Sequence, residues 1–286
     1  MRIGLMLAAM LVPLGAAAAA DNPRYLPAVG TTATFRLLVT TDSGGNERTV
    51  GHIYRVAITA NDGTTAEGTL TPLALVWHCP AGDTSITCKQ ARYLPNASRE
   101  GDLLTAPLPA DISGELGKVG KMTLRDLLHV TQVYPLPGLQ DLGEIEQPRI
   151  GSVPLAIQTT AQDCDEAALG PFFPFGSAAR ATVVCKMTVE VSRSRLAAVK
   201  DARNTHDVTY ELSFAGHEHI VVPAGAYEVA VVKFKSTADS GDGAVTEGEW
   251  EFVENLGFSA KFSSLTRFPK STNTSRIVRE LIKVEP

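Results

Sequence analysis

The sequence predicts an all-β protein, an antiparallel meander that forms a sandwich or partial barrel with one or two short helices. In several segments apolar and polar residues alternate with a period of two, which is typical of strands with one buried face. Short turn-forming groups rich in glycine, asparagine and aspartate separate these segments, as in consecutive hairpins. A sheet with one apolar face has to curl or pack on another layer to cover that face.

Five segments show the clearest alternation, and they cover residues 33–39, 54–58, 208–214, 249–252 and 258–263. Their predicted inward faces carry the rings of Phe35, Tyr54, Tyr210, Phe214, Trp250, Phe252, Phe258 and Phe262. The turn signals are Gly44-Gly45-Asn46, Asn61-Asp62-Gly63, Asp242-Gly243 and Asn255-Leu256-Gly257. A curled sheet of this kind is either filled by its own side chains or keeps a cavity, and the residue types leave both open.

Helical patterns are scarce. The better one begins at Thr123, which can cap a helix with Asp126 three residues further on, and it ends at Pro135. A weaker helical segment runs from Leu196 to Ala202. We therefore expect one or two short helices beside the sheet.

Residues 1–20 have the features of a secretory signal peptide. Arg2 gives a basic start, Gly4 to Leu14 is an apolar run too short to span a bilayer, and Ala18-Ala19-Ala20 is an A-x-A cleavage signal. We expect a mature chain that begins at Asp21 and is periplasmic or secreted. No later apolar run is long enough for a membrane span, and a lipid anchor would require a cysteine directly after the signal, whereas the first is Cys79.

The composition is mildly acidic, with 26 lysine and arginine residues against 31 aspartate and glutamate residues and a net charge of −5. Such a chain, without a run of bases, is a poor match for nucleic acid or an anionic membrane, so we expect neither as a partner. The length allows an N-terminal β unit at 21–140 and a C-terminal β unit at 150–286, or one continuous domain. The proline- and glycine-rich stretch between Pro135 and Pro154 is the expected joint.

The four cysteines favour disulfides over a metal site. An exported chain meets an oxidising environment, and no C-x-x-C spacing is present. Of the three possible connectivities we expect the local one, Cys79–Cys88 and Cys164–Cys185. The turn-forming Pro80-Ala81-Gly82-Asp83 predicts a hairpin that brings the first pair together.

His217-Glu218-His219 is the strongest metal-like motif. Residues i and i+2 of a strand point the same way, so both imidazoles could reach one ion, but zinc needs a third protein ligand. His206, ahead of an adjacent strand pattern, or an acid could supply it. The alternative is two histidines on the solvent face of a strand, with Ile220 and Val222 on the other face. Since H-x-H alone is a weak signal, we expect no cofactor.

Other polar groups are weaker candidates for a metal-binding or catalytic site. Asp163, Asp165 and Glu166 surround Cys164 and could bind calcium, but they fit an acidic turn better because EF-hand spacing is absent. The stretch Asp239-Ser240-Gly241-Asp242-Gly243 is interpreted as a hairpin turn, and His78 as a packed residue. The sequence contains no G-x-S-x-G, H-E-x-x-H, Walker or G-x-G-x-x-G motif, which lowers the expectation of an enzyme.

The loop Pro171-Phe172-Phe173-Pro174-Phe175-Gly176 concentrates three aromatic rings between the two later cysteines. One interpretation is that the rings plug one end of a barrel or sandwich. The other is that they form an apolar lip over a ligand site.

The segment Val221-Val222-Pro223-Ala224-Gly225-Ala226-Tyr227-Glu228-Val229 resembles the V-P-A-G-x-[FY]-x-V hairpin of a broad group of exported bacterial β-proteins. The later Trp250 and the Leu256-Gly257-Phe258 turn resemble the same group, so the resemblance covers about Glu218 to Phe268. Some of those proteins are similar to the half-barrel lipoprotein carriers of the periplasm. The resemblance implies a fold and carries over no catalytic residue.

Together these patterns favour a non-enzymatic module of the cell envelope whose curved sheet binds an apolar ligand or a partner protein. The alternative is a metal-dependent hydrolase that uses His217 and His219. The residues do not identify the ligand, the partner or the oligomeric state.

Overall fold

The computed structural model describes residues 26–62, 66–94, 96–108, 117–120, 132–136, 156–172, 174–193, 202–239 and 243–286. In these residues, fourteen strands form one antiparallel sheet, and helix is limited to three short segments. The prediction of an all-β antiparallel protein with short helices is therefore confirmed.

The first seven strands are β1 Thr32–Ser43, β2 Asn46–Asn61, β3 Ala66–His78, β4 Ser98–Glu100, β5 Leu103–Pro107, β6 Gly117–Gly120 and β7 Gln132–Leu136. The other seven are β8 Ala156–Cys164, β9 Arg180–Arg193, β10 Ala202–Val222, β11 Gly225–Ala238, β12 Val245–Val253, β13 Phe258–Arg267 and β14 Thr274–Glu285. The helices are α1 Ile86–Arg92, α2 Glu166–Leu169 and a 3₁₀ turn at Gly170–Phe172.

The strand order brings the two ends of the chain together. It runs β4-β5-β3-β2-β1-β14-β13-β12-β11-β10-β9-β8-β7, and β6 pairs with the first residues of β3. β1 pairs with β14, so that Phe35 lies opposite Leu281, and strands from both halves of the sequence share one sheet. β6 also lies beside β7, so the last strand of the order approaches the strand that pairs with β3.

The tip of the β10–β11 hairpin contacts a strand that is not its neighbour in the sheet. Pro223 and Ala224 form the turn, and Gly225 follows with φ +139°, a conformation that side chains disfavour. The Ala224 N–H donates to the carbonyl oxygen of Leu281 at 3.2 Å, although β12 and β13 separate the two strands in the sheet order. The tip therefore bends over the sheet and reaches β14.

The predicted alternation is confirmed on most strands. Phe35, Tyr54 and Tyr210 are buried, whereas Arg55 and Glu211 on the alternate faces are exposed. The buried apolar residues form three clusters: one under β1, β2 and the β10–β11 tip, one under β9 to β12, and one around the end of β3.

The expectation of one water-facing side is wrong for β12 and β13. Glu251 and Ser259 are 7% and 3% exposed, although their alternation predicts a solvent face. The register shifts by one residue between Glu251 and Phe252, and such a bulge sharpens the local twist. Apolar residues are consequently packed on both sides here. Burial raises the pKa of Glu251, and the ion pair with Lys261, at 3.4 Å, opposes that shift.

Helix α1 covers one end of the inward face. Cys79 and Cys88 form a disulfide, as predicted, but Cys88 lies in α1 and not in the second strand of a hairpin. The reason is a cap: the Cys88 N–H donates to Ser85 Oγ at 3.2 Å, which starts a helix directly after the turn. The bridge holds α1 over Trp77 and Leu104.

The aromatic loop covers the inward face at another end. Cys164 and Cys185 lie opposite each other on β8 and β9 and form the second predicted disulfide. In the loop, Phe172 is fully buried, and the Phe175 ring stacks on Phe214 with centroids 5.7 Å apart. The described part of the loop therefore packs into the core, as the plug interpretation expects.

Several predictions fall on residues outside the described ranges. The signal peptide, the helix at Thr123, residues 196–201 of the weaker helix, and 137–154 of the expected joint are among them. Pro135 lies within β7, opposite Ile157, and not at the end of a helix. A proline is tolerated there because β7 is the last strand of the sheet order. The division into two β units stays a prediction.

Candidate functional site

His217 and His219 lie on one face of β10, near the hairpin tip, and both are exposed. The Nε2 of His217 is 3.0 Å from the Glu254 carboxylate, and its ring packs edge-on against Phe214 at 5.3 Å. Val222 on the opposite face is 6% exposed, which agrees with the interpretation of a solvent-facing pair.

His206 is not close to this pair. It lies on β10 as well, eleven residues before His217, and not ahead of a separate strand. At about 3.3 Å per residue, this separation is roughly 36 Å. Sequence reasoning split one long strand into two because the bulge at Ala215 interrupts its alternation. In the described ranges, no three histidine, cysteine or acidic side chains are grouped so that they could hold a metal ion.

The remaining polar candidates have local partners. Asp165 Oδ1 accepts from the N–H groups of Ala167 and Ala168, which caps α2. His78 is exposed and lies 4.0 Å from Asp102, so its interpretation as a packed residue is wrong. The period of two explains this: Trp77 points inward, and the next residue of the strand points outward.

The most continuous feature of the inward face is a row of contacting side chains across seven neighbouring strands. We call this row the inward band, and its members are Tyr210, Phe234, Trp250, Phe262, Arg279, Phe35 and Tyr54. Between successive aromatic members, the ring centroids are 4.2–6.2 Å apart. Each of the strands β10, β11, β12, β13, β14, β1 and β2 contributes one member. The register places Phe262 directly opposite both Trp250 and Arg279, and Phe35 opposite Tyr54. The other successive members are offset by two residues along their strands.

One member of the inward band is a cation. The Arg279 guanidinium carbon lies 5.3 Å from the Phe35 ring centroid and 5.6 Å from that of Phe262. Its Nε is buried without a hydrogen-bond partner, and its side chain hydrogen-bonds with Tyr54. In the described part of the chain, Arg279 forms no ion pair with a carboxylate. The charge therefore lies among rings, where cation–π attraction replaces an acidic partner.

Two ionisable groups here are held neutral: Tyr54, which contacts Arg279, and His52, which lies next to Tyr54. Burial raises the pKa of Tyr54, and the positive charge and hydrogen bond of Arg279 oppose this shift only in part. Burial lowers the pKa of His52 from 6.5 to about 4. The His52 ring lies 5.4 Å from that of Tyr54. At neutral pH, the band and this neighbour therefore carry the single positive charge of Arg279.

Part of the inward face near Arg279 is only half-buried, although Leu37, which lies opposite Arg279, is buried. Four apolar residues there, which we call the apolar patch, are Val39, Val50, Ile277 and Phe262. Val39 lies opposite both Val50 and Ile277, and Phe262 lies opposite Arg279. Because Ile277 and Arg279 are two residues apart on β14, they point to the same side. Val50 packs against the cluster that contains α1 residues, and Phe262 packs against the cluster that contains Phe172 of the aromatic loop.

No protein-family model and no curated protein matches the sequence. Two solved structures show a low similarity. A candidate lipoprotein from Parabacteroides distasonis has 12% identity and a TM-score of 0.34, with 93% of this chain and 100% of that chain covered. A candidate exported protein with a YmcC-like fold from Bacteroides fragilis has 11% identity, a TM-score of 0.34 and the same coverage. These TM-scores are too low to establish a common fold, so nothing about this chain is inferred from them.

The two disulfides are consistent with a location outside the cytoplasm. Among the helices in the described ranges, none is long and apolar enough to span a membrane.

Sequence reasoning found the rings of the inward band but missed Arg279. In residues 274–285, both faces of the strand carry apolar side chains. Ile277 and Leu281 lie on one face, and Val278 and Ile282 lie on the other. Arg279 lies on the same face as Ile277 and Leu281. The pattern alone therefore did not indicate which side of β14 is inward, and it gave no signal for a cation on the inward face.

Proposed function

We propose that this protein is an exported, non-enzymatic protein of the cell envelope that binds an apolar ligand on the inward face of its curved sheet. The apolar patch is the proposed contact. The observation that carries this proposal is that apolar side chains of β1, β2, β13 and β14 remain half-buried at the edges of the three core clusters.

Burial supports this location. The ring members of the inward band other than Phe262 are at most 7% exposed and are packed against one another. A ligand that lay on them would have to displace these contacts. At the patch, apolar surface is still accessible to solvent. A ligand that covers it gains a binding free energy of about 25 cal/mol for each Å² of apolar surface removed from water.

The test is a fluorescence titration of the mature protein with the neutral apolar ligand hexadecanol. Trp77 is replaced by phenylalanine, so that Trp250 is the remaining tryptophan. Trp250 contacts Phe262 of the patch at 5.9 Å between ring centroids, and ligand binding should therefore change its emission. We expect a saturable change. Its absence in a protein with an unaltered circular dichroism spectrum would contradict the proposal and would favour a core filled by its own side chains.

Native mass spectrometry of protein isolated from its own periplasm provides an independent readout. A retained apolar compound would support the proposal. Stoichiometric zinc that is lost in a His219→Ala variant would contradict it and favour the metal-dependent hydrolase.

A further inference from the structure

We propose that Arg279 is the headgroup site of this ligand, and that the ligand is a long-chain fatty acid bound through its carboxylate. This inference rests on the proposed function, because it assigns the polar end of the ligand at the same face. The inference specifies the ligand as a single-chain amphiphile with a carboxylate headgroup, whereas the proposed function requires only that the ligand is apolar.

The first step is the charge of Arg279. Guanidinium is always protonated in proteins, and partial burial of a charge is costly unless a partner compensates for it. Arg279 is half-buried, and its Nε is inaccessible to solvent without a hydrogen-bond partner. The described partners of Arg279 are two aromatic faces and a neutral phenol. An anion would complete this environment with charge-assisted hydrogen bonds, which are the stronger kind.

The second step is the choice of anion. Arg279 is the one cation of the inward band; Tyr54, which it contacts, and His52, which lies next to Tyr54, are neutral. A carboxylate carries one negative charge and fits the planar fork of a guanidinium with two parallel hydrogen bonds. A phosphate monoester would bring a second charge that nothing in the described surroundings of Arg279 balances. One cation therefore favours a singly charged headgroup over a dianionic one, and a carboxylate is the singly charged headgroup of a single-chain fatty acid.

The third step is the position of the chain. From Arg279 the register leads along β14 to Ile277, and from there across the sheet to Val39 and Val50. All three are half-buried and apolar. A carboxylate at Arg279 would thus place the attached hydrocarbon chain on the apolar patch, with Phe262 beside the headgroup.

The experiment compares two ligands of equal chain length, palmitate and hexadecanol, by Trp250 emission in the Trp77→Phe background. Hydrogen bonds to charged groups contribute about 1.5–3 kcal/mol, so palmitate should bind roughly 10- to 100-fold more tightly. In an Arg279→Met variant, palmitate should bind as weakly as hexadecanol, and hexadecanol affinity should be unchanged. Arg276→Gln is the matched control because Arg276 lies on the same strand and is exposed.

Each outcome separates the two proposals. Equal, saturable binding of both ligands to the Trp77→Phe protein would overturn the headgroup site and leave the proposed function intact. A palmitate preference that persists in Arg279→Met would overturn the assignment to Arg279. If neither ligand binds, the proposed function fails and this inference fails with it. Should Arg279→Met not fold, Arg279→Lys replaces it: the loss of the two-pronged contact should reduce palmitate affinity selectively, and an unchanged preference would overturn the site.

Discussion

The indole ring of Trp250 stacks on the ring of Phe234, with centroids 4.2 Å apart and an interplanar angle of 29°. The two residues lie on neighbouring strands, and both are nearly inaccessible to solvent. Phe234 also contacts Tyr210 and Phe262, so it links β10 to β13 across the inward face. The stability of this region should therefore depend on it.

Replacement of Phe234 by alanine should lower the free energy of unfolding by about 3–5 kcal/mol, because it removes a buried ring and leaves a cavity between its neighbours. Urea denaturation followed by Trp250 emission measures the change. Val221→Ala is the control: Val221 is 84% exposed, and its truncation should change stability by no more than about 0.5 kcal/mol. A Phe234→Ala effect as small as that of the control would contradict the packing of the inward band.

Acid should destabilise the protein through His52. In the folded state the pKa of His52 is about 4, whereas its ordinary value is 6.5. Below pH 6.5 the unfolded chain takes up a proton that folded His52 does not, so this contribution to stability is complete above pH 6.5 and is lost as the pH falls towards 4. The difference between the two pKa values corresponds to about 3 kcal/mol.

Urea unfolding at pH 7 and pH 4 tests this prediction. His52→Gln cannot ionise and should lose about 3 kcal/mol less than the unsubstituted protein between the two pH values. His219→Gln, at an exposed position of β10, should lose as much as the unsubstituted protein. Equal losses in His52→Gln and the unsubstituted protein would show that His52 is solvated in the folded state.

Both disulfides should stabilise the fold, and the Cys164–Cys185 bridge should contribute more. Its cysteines are 21 residues apart, against 9 for Cys79–Cys88, and a longer loop loses more entropy on closure. Paired alanine substitutions should cost about 3 kcal/mol for each bridge on this model. Thermal unfolding of the two double variants measures the order, and a larger loss for Cys79→Ala/Cys88→Ala would contradict the loop-length explanation. That outcome would assign the difference to the packing of α1.

The exported protein should begin at Asp21, because the A-x-A signal ends at Ala20. N-terminal sequencing of protein recovered from the periplasm or medium checks this prediction. Met1 at the start of the recovered protein would contradict the predicted cleavage.

The sequence by itself determined the all-β class and most strand faces, and it favoured the local pairing of the cysteines. These features depend on local rules: side chains of a strand alternate between two faces, and cysteines close together in the chain meet with little loop entropy. Phe35, Tyr54 and Tyr210 were placed inward on this basis, and the structure confirms their burial.

Only the tertiary structure decided which side of β14 is inward, and therefore that Arg279 lies among rings. A strand with apolar residues on both faces has no preferred inward face until it pairs with other strands. Here the pairing partners are β13 and β1, and β1 lies more than two hundred residues earlier in the chain. The same holds for Glu251, which a one-residue register shift and packing on both sides remove from solvent. Register is a property of two strands together, so neither residue's environment could be derived from its own segment.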